Sequence, residues 1–351
     1  MFVNIFIYKR TLYSATSLLI SKTVRLFSTA IISIFLVTAV FTAPSYAFDN
    51  LTIAVIPKAT LPHFWKIVCV GAHTAIQDNN ATIIWRGPRV ENKTEAQKHL
   101  MDFYIDKKVD AIVIAPTHKS KLNSSIEKAM AAGIKVIVID SRTSAGKQHS
   151  FIATDNYKAG KIGAKLLLQK IHKKGPLLLM GSMPDSSSVS EREQGFIDGI
   201  NELAPGMSVI RMNILEGTGK EAELAAKEII RNTNSLAGIF AVNEVSSEGV
   251  LQALNKQEIN GLPFVGFDYS STLLEGIESG RVSALITQVP FAMGYMGVRT
   301  ALELLEGKQI VPEMECPVRI ITRDNIEDSQ NLRCLRKFSE RERDSCPMCF
   351  N

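Results

Sequence analysis

The sequence predicts an α/β protein built as two doubly wound parallel-sheet lobes. Three observations predict it. Strand-like and helix-like segments alternate from residue 51 to residue 322. The strands are short, nearly continuous apolar runs, as expected when both faces of a parallel sheet are covered. The scheme then restarts at residues 151–155, so the second half repeats the first. Alternating units of this kind give right-handed crossovers with helices on both faces. The strands are too many for one tidy sheet, so two lobes with a cleft between their strand ends are the economical solution.

Each element follows from its local pattern. Residues 51–56 read as a strand and 63–77 as a helix; 82–85 as a strand and 93–107 as a helix; 109–115 as a strand, 121–132 as a helix and 134–139 as a strand. Ile126, Ala129 and Met130 show the three- and four-residue spacing of a helix face, and Gly133 closes that helix where a left-handed cap is wanted. After 151–155 come helix 157–172, strand 177–180, helix 191–203, strand 209–215, helix 221–232 and strand 238–242. Helix 247–256, strand 264–267, helix 272–278, strand 284–288, helix 291–305 and a last extended piece, 318–322, complete the series. Residues 324–351 are polar and charged and read as a surface extension.

The first 47 residues read as a leader. Lys9, Arg10, Lys22 and Arg25 precede an uncharged stretch, 26–43, and Ser45 and Ala47 place small residues at a cleavage site. An uncleaved N-terminal membrane anchor is the alternative, since the apolar run is close to the ~20 residues that a span needs. The net charge is +5, and the leader holds four basic residues and no acidic one, which leaves the remainder near +1. That balance gives no support for nucleic-acid binding, and no helix-turn-helix opens the chain.

Export permits disulfides. Of five cysteines, Cys69 lies in an apolar helical run and reads as a buried free thiol, while Cys316, Cys334, Cys346 and Cys349 cluster late in the chain and allow two bridges in three pairings. Cys346-Pro347-Met348-Cys349 has redox spacing, but no helix follows to stabilise a thiolate, so a structural or adventitious disulfide is the preferred reading. No histidine has metal-ligand spacing, and neither a metal nor a cofactor is expected. Gly217-Thr218-Gly219-Lys220 lacks the remaining residues of a phosphate loop.

The polar residues at the strand ends carry the functional signal. Asp140 follows 136–139, Asn243 follows 238–242, Asp268 follows 264–267, and Gln288 stands two residues before Pro290. Open α/β sheets bind small ligands at this rim. Each has a plain structural reading: Asp268 as a cap for the helix near Ser271, Asp140 as a turn residue. Phe64 and Trp65 suit an amphipathic core, yet adjacent helical residues do not share one face, so at least one is expected toward the cleft. Trp85 and Arg86, at the end of the second strand, and Arg142 are further candidates. No nucleophile and base pair assembles, so an enzyme is not expected.

Taken in order, the segments Val-Asp-Ala-Ile-Val-Ile-Ala-Pro (109–116), Val-Ile-Asp-Ser (138–141), Thr-Asp-Asn (154–156), Arg-Glu-Gln-Gly-Phe (192–196), Val-Asn-Glu (242–244), Val-Gly-Phe-Asp (265–268) and Thr-Gln-Val-Pro (287–290) resemble the type I periplasmic solute-binding proteins. The nearest branch is the ribose-binding-like sugar receptors of ABC transporters, and the resemblance spans roughly residues 50 to 325. It implies that Arg192, Asn243, Asp268 and Gln288 contact sugar oxygens, that Asp140 is the acid of the first lobe, and that Phe64 and Trp65 cover a sugar ring. Carboxylates and amides suit vicinal hydroxyls, arginine adds a charged fork, and aromatic faces suit the C–H face of a sugar. There are two departures. Pro62-His63-Phe64-Trp65 stands where Asn-Pro-Phe-Phe is common, and Ser141 separates Asp140 from Arg142.

The expected organisation is a leader, 1–47; a first lobe, 48–153 plus 289–314; a second lobe, 154–288 plus 315–325; and a polar cysteine-containing tail, 326–351. A hinge of three chain crossings joins the lobes. The expected function is a periplasmic, monomeric, non-enzymatic receptor that traps a small polar ligand, a monosaccharide in the first reading, and hands it to a membrane permease. The alternative on the same fold is the sensory partner of a membrane kinase or chemoreceptor.

Overall fold

Short strands that are apolar on both faces must be covered by helices on both sides, and that requirement sets the architecture. The computed structural model describes residues 50–328 except Asp78, Asn79 and Asn234. The expected leader and Cys334, Cys346 and Cys349 lie outside the described residues. In chain order the elements are β1 (Leu51–Ile56), α1 (His63–Thr74), β2 (Ala81–Trp85), α2 (Thr94–Asp106), β3 (Ala111–Ile114), α3 (Asn123–Ala131), β4 (Lys135–Ile139) and β5 (Ser150–Thr154). They continue with α4 (Asn156–Lys170), β6 (Leu177–Ser182), α5 (Ser187–Leu203), β7 (Val209–Ile214), α6 (Gly219–Asn232), β8 (Gly238–Ala241) and α7 (Glu244–Lys256). The last are β9 (Phe264–Phe267), α8 (Ser271–Glu278), β10 (Ala284–Thr287), α9 (Pro290–Leu305), β11 (Glu313–Cys316) and β12 (Arg319–Ile321).

Two six-stranded sheets result. The first runs β2-β1-β3-β4-β5-β11 and the second β7-β6-β8-β9-β10-β12. Every pairing is parallel except β12 against β10. The winding order is the same in both, so the repeat read from the sequence is a structural repeat. Buried strand residues such as Ile112, Ile114, Val136 and Val138 fill the first lobe, and Leu178, Met180, Ile239 and Leu285 fill the second. The chain passes between the sheets after β5, after β10 and between β11 and β12.

The helix after each of the first two passages packs on the helix that follows the first strand of the lobe it enters. α9 lies on α1, and α4 lies on α5. Glycines bring both pairs to backbone contact. A Cβ at Gly294 would stand 2.0 Å from the Val68 carbonyl oxygen, and one at Gly195 would stand 2.0 Å from that of Tyr157. These approaches matter for function, because α1 carries Phe64 and Trp65 and α5 carries Arg192.

The differences from the sequence reading have local causes. α5, α6 and α7 start at Ser187, Gly219 and Glu244 rather than at 191, 221 and 247. Their polar first turns carry no apolar period; Thr218 and Asn243 cap the last two with their side chains. β11 was not expected as a strand: it is an edge strand that alternates glutamate with Met314 and Cys316. The cysteine reading is corrected. Cys69 is disulfide-bonded rather than free, and Cys316 is the free cysteine among the described residues. Both are buried, and an apolar setting suits either a thiol or a bridge, so local sequence does not separate them. Burial pushes the Cys316 thiol up to about 11. No helix among the described residues is long and apolar enough to cross a membrane.

Gly294→Ala is expected to destabilise the first lobe by about 1–3 kcal/mol, the range for overpacking, because the added methyl meets backbone rather than a movable side chain. Urea and thermal unfolding check this; an unchanged transition would show that α1 and α9 separate at no cost.

Candidate functional site

The strand ends of the two lobes face one another, and the same position in each winding ends in an aspartate. Asp140 follows β4 and Asp268 follows β9, with φ of 64° and 63°. This left-handed backbone is tolerated by aspartate better than by most residues. Each is pinned by its amide, Asp140 to the Ile152 carbonyl at 2.9 Å and Asp268 to that of Ile286 at 2.8 Å. Both carboxylates are buried. The bland reading of Asp268 as a helix cap does not hold, since Ser270 caps α8 by accepting from the Leu273 amide. Both acids line one cavity.

One cavity brings together Phe64, Trp65, Asp140, Arg192, Asn243, Asp268 and Gln288. Arg192, from α5, is held on three sides. Its Nε donates to Asn156 Oδ1 at 2.8 Å, its Nη1 donates to the Val242 carbonyl at 2.9 Å, and its guanidinium lies 3.9 Å from the Phe267 ring centre. Its Nη2 has no hydrogen-bond partner among the described residues. Gln288 donates to Asp268 Oδ1 at 2.8 Å, and its own Oε1 has no partner among the described residues. Asn243 doubles as the cap of α7: its Oδ1 accepts from the Ser246 amide and hydroxyl. Phe64 and Trp65 meet edge to face at 4.9 Å, and both line the cavity.

Sequence reasoning missed Lys58, Glu91, Ser188 and Glu244, which line the same cavity. Lys58 is buried and sits 2.5 Å from Asp140 Oδ2. It donates to Ser141 at 2.6 Å and, across the cleft, to Ser186 at 2.9 Å and Ser188 at 3.0 Å. The cation that the resemblance would put directly after Asp140 is thus supplied from the loop after β1. Glu91 accepts from Trp65 Nε1 at 2.9 Å and holds the indole in place. The available signal was positional: Lys58 follows β1 by two residues, at the winding's reversal point, and Glu244 adjoins Asn243.

Burial dominates the electrostatics. It raises Asp268 to about 6, against the pull of Arg192 and the Gln288 bond. It lifts Glu244 to about 8, against the amides of Phe64 and His63. It also draws Arg192 below its usual value, opposed first by Asp268 and then by Asp140.

Three candidates lie outside this cavity. Trp85 is buried at the end of the edge strand β2, and Arg86 is exposed beside it. Arg142 pairs with Glu313 on β11 and lies 4.3 Å from the Phe151 ring centre. It lines a separate cavity by the chain crossings, with Asp155 and Glu191. Ser141 takes the inward direction toward Lys58, so the next side chain turns away. Among the described residues no group of three or more His, Cys, Asp or Glu could hold a metal ion.

Residues 53–309 match the model of the periplasmic binding protein domain, and the chain belongs to that family. It is 25% identical over 232 residues to the ribose import binding protein of Bacillus subtilis (strain 168), covering 66% of this chain and 75% of that protein. It is 25% identical over 284 residues to the D-ribose/D-allose-binding protein of Pseudomonas aeruginosa, covering 77% and 88%. An ABC transporter solute-binding protein of Agrobacterium vitis with bound D-fucose is 30% identical with a TM-score of 0.79, covering 81% of this chain and all of that one. A carbohydrate transporter solute-binding protein of Agrobacterium radiobacter in complex with D-arabinose is 26% identical with a TM-score of 0.79, covering 82% of this chain and 100% of that one.

The raised Asp268 acid sets a pH dependence. The native state binds its proton more tightly than the unfolded chain, so the contribution is full below pH ~4 and is lost as pH rises to about 6. The loss is of order 3 kcal/mol at ~1.4 kcal/mol per unit. Urea unfolding between pH 4 and 7 is expected to show the decline in the wild type and a shallower one in Asp268→Asn; superimposable profiles would remove burial of this acid as the cause.

Proposed function

We propose that the chain is an exported, non-enzymatic receptor that traps one monosaccharide between its lobes and delivers it to the permease of an ABC importer. The observation that carries this reading is the open hydrogen-bonding capacity at the cavity. Arg192 Nη2 offers a donor and Gln288 Oε1 an acceptor, each without a partner among the described residues, beside the aromatic pair Phe64 and Trp65. A donor, an acceptor, paired charges and aromatic faces together match a molecule that is polar at its edge and apolar on its ring face.

Asp140, Asn243 and Asp268 complete the polar set. Asp140 keeps Oδ1 for a hydroxyl while Oδ2 takes Lys58 and Ser141. Asn243 keeps its amide N–H groups, since its Oδ1 is spent on the cap. Relatives whose names include ribose or allose, and structures with bound D-fucose or D-arabinose, support a monosaccharide as the ligand class. Contacts from both lobes would make ligand binding and closure one equilibrium. The three crossings act as the hinge. The leader, 1–47, directs the chain to the periplasm, and the receptor works as a monomer.

Isothermal titration with D-ribose, D-allose, D-arabinose and D-fucose tests the reading. At least one is expected to bind, and Asp268→Ala is expected to weaken it by about 10- to 100-fold, as for loss of a charged hydrogen-bond partner. Absence of sugar binding, with tight binding of an amino acid or amine instead, would overturn the ligand class.

A further inference from the structure

The first turn of α1 has no cap of its own. Pro62 precedes it with no side-chain acceptor, and no acidic residue lies in the turn. Helix N-termini leave amides that need partners, and here they come from the other lobe. Glu244 Oε1 accepts from the His63 amide at 2.7 Å, and Oε2 accepts from the Phe64 amide at 2.8 Å. The two elements are 181 residues apart in the chain. Glu244 is itself the first residue of α7, so one carboxyl group sits at two helix N-termini, with both oxygens accepting from the amides of α1.

We propose that Glu244 is the positioning residue that joins closure to ligand capture: it caps α1 from across the cleft and so fixes Phe64 and Trp65 over the cavity. This rests on the two-lobe trapping reading above. Other contacts across the cleft do less. The Lys119 amide meets the Asp185 carbonyl at 2.9 Å and the Ser187 hydroxyl meets that of Arg142 at 2.8 Å, but Lys119 and Arg142 are surface-exposed, Ser187 is half-buried, and neither bond holds a ring against the cavity. Lys58 reaches Ser186 and Ser188 but orders no aromatic residue.

The cap also makes closure a proton-linked step. The charged and titratable groups facing Glu244 are Glu248 on its own helix, Asp268 after β9, His63 on α1 and, around the shared cavity, Arg192, Lys58, Asp140 and Glu91. Buried between the lobes, the acid rises from its ordinary 4.5 to about 8. With the lobes apart it returns toward the lower value, so closing takes up a proton in that interval and weakens as pH rises through it. Asp268 adds a similar effect at lower pH, since its own value is about 6; the interval from about 6 to about 8 therefore belongs to Glu244.

The test uses Glu244→Gln and Glu244→Ala in the full chain, with thermal unfolding to verify that each folds. Titration with D-ribose and D-arabinose at pH 6 and pH 8.5 is expected to show the wild type losing affinity by up to about 100-fold with rising pH, since pH 6 lies about two units below the raised value. Glu244→Gln, which keeps one acceptor, is expected to bind about tenfold more weakly at pH 6 with a flatter profile, and Glu244→Ala more weakly still. Amide exchange at Phe64, followed by NMR with and without sugar, is expected to be at least tenfold faster in Glu244→Ala. If the wild type binds neither sugar, nor D-allose or D-fucose, the ligand class fails while Phe64 exchange still decides the cap. Equal exchange at Phe64 in wild type and both variants overturns the proposal, as does an unchanged affinity in Glu244→Ala.

Discussion

Charged groups buried at the rim of two sheets must be neutralised or bonded, and the rest of the site follows from that constraint. A lone buried charge costs several kcal/mol. Here Lys58 answers Asp140, Arg192 stands beside Asp268, and Glu244 takes two helix amides. Several partners lie on the opposite lobe: Ser186 and Ser188 for Lys58, the His63 and Phe64 amides for Glu244. Separation of the lobes would therefore return these groups to water, and approach would demand that they match.

The repeat gives the constraint its geometry. β4 and β9 occupy the same place in two identical windings, and both end in an aspartate with left-handed backbone. The acids are thereby aimed from opposite sides at one space. The glycine-mediated pairs α1–α9 and α4–α5 do the same for the helices. Each helix that follows a chain crossing presses on the helix that carries site residues. The helices after the first two chain crossings are thus in direct backbone contact with the helices that carry Phe64, Trp65 and Arg192. Arg192 adds a second connection, since its Nε is held by Asn156, the first residue of α4 after the first crossing.

Membership of the periplasmic binding protein family accounts for the two-lobed plan, and the first lobe has its own arrangement of charges. The loop after β1 supplies Lys58, and Ser141 stands between Asp140 and Arg142. Lys58 pairs with Asp140 and shares its three N–H donors with the hydroxyls around it, so on that side the lobe offers an acid already engaged rather than a free cation. On the second lobe, by contrast, Arg192 Nη2 and Gln288 Oε1 have no hydrogen-bond partner among the described residues.

Much of this was legible in the residue order. Period and apolarity are local properties, so the strand series, the helix series and the duplication could be read along the chain, and strand ends pointed to Asp140, Asn243, Asp268 and Gln288. Helix starts at Ser187 and Glu244 were less visible, because polar first turns lack the period that marks a helix. Which side chains stand at strand ends depends on neighbours a few residues away, so residue order alone sets it. Only the tertiary structure decided that Lys58 faces Ser188, that Glu244 caps a helix 181 residues distant, that Arg142 turns outward and that Cys69 rather than Cys316 is bridged. Those outcomes depend on how two separately wound sheets meet, and that meeting is set by packing between distant segments, which leaves no periodic mark in the chain.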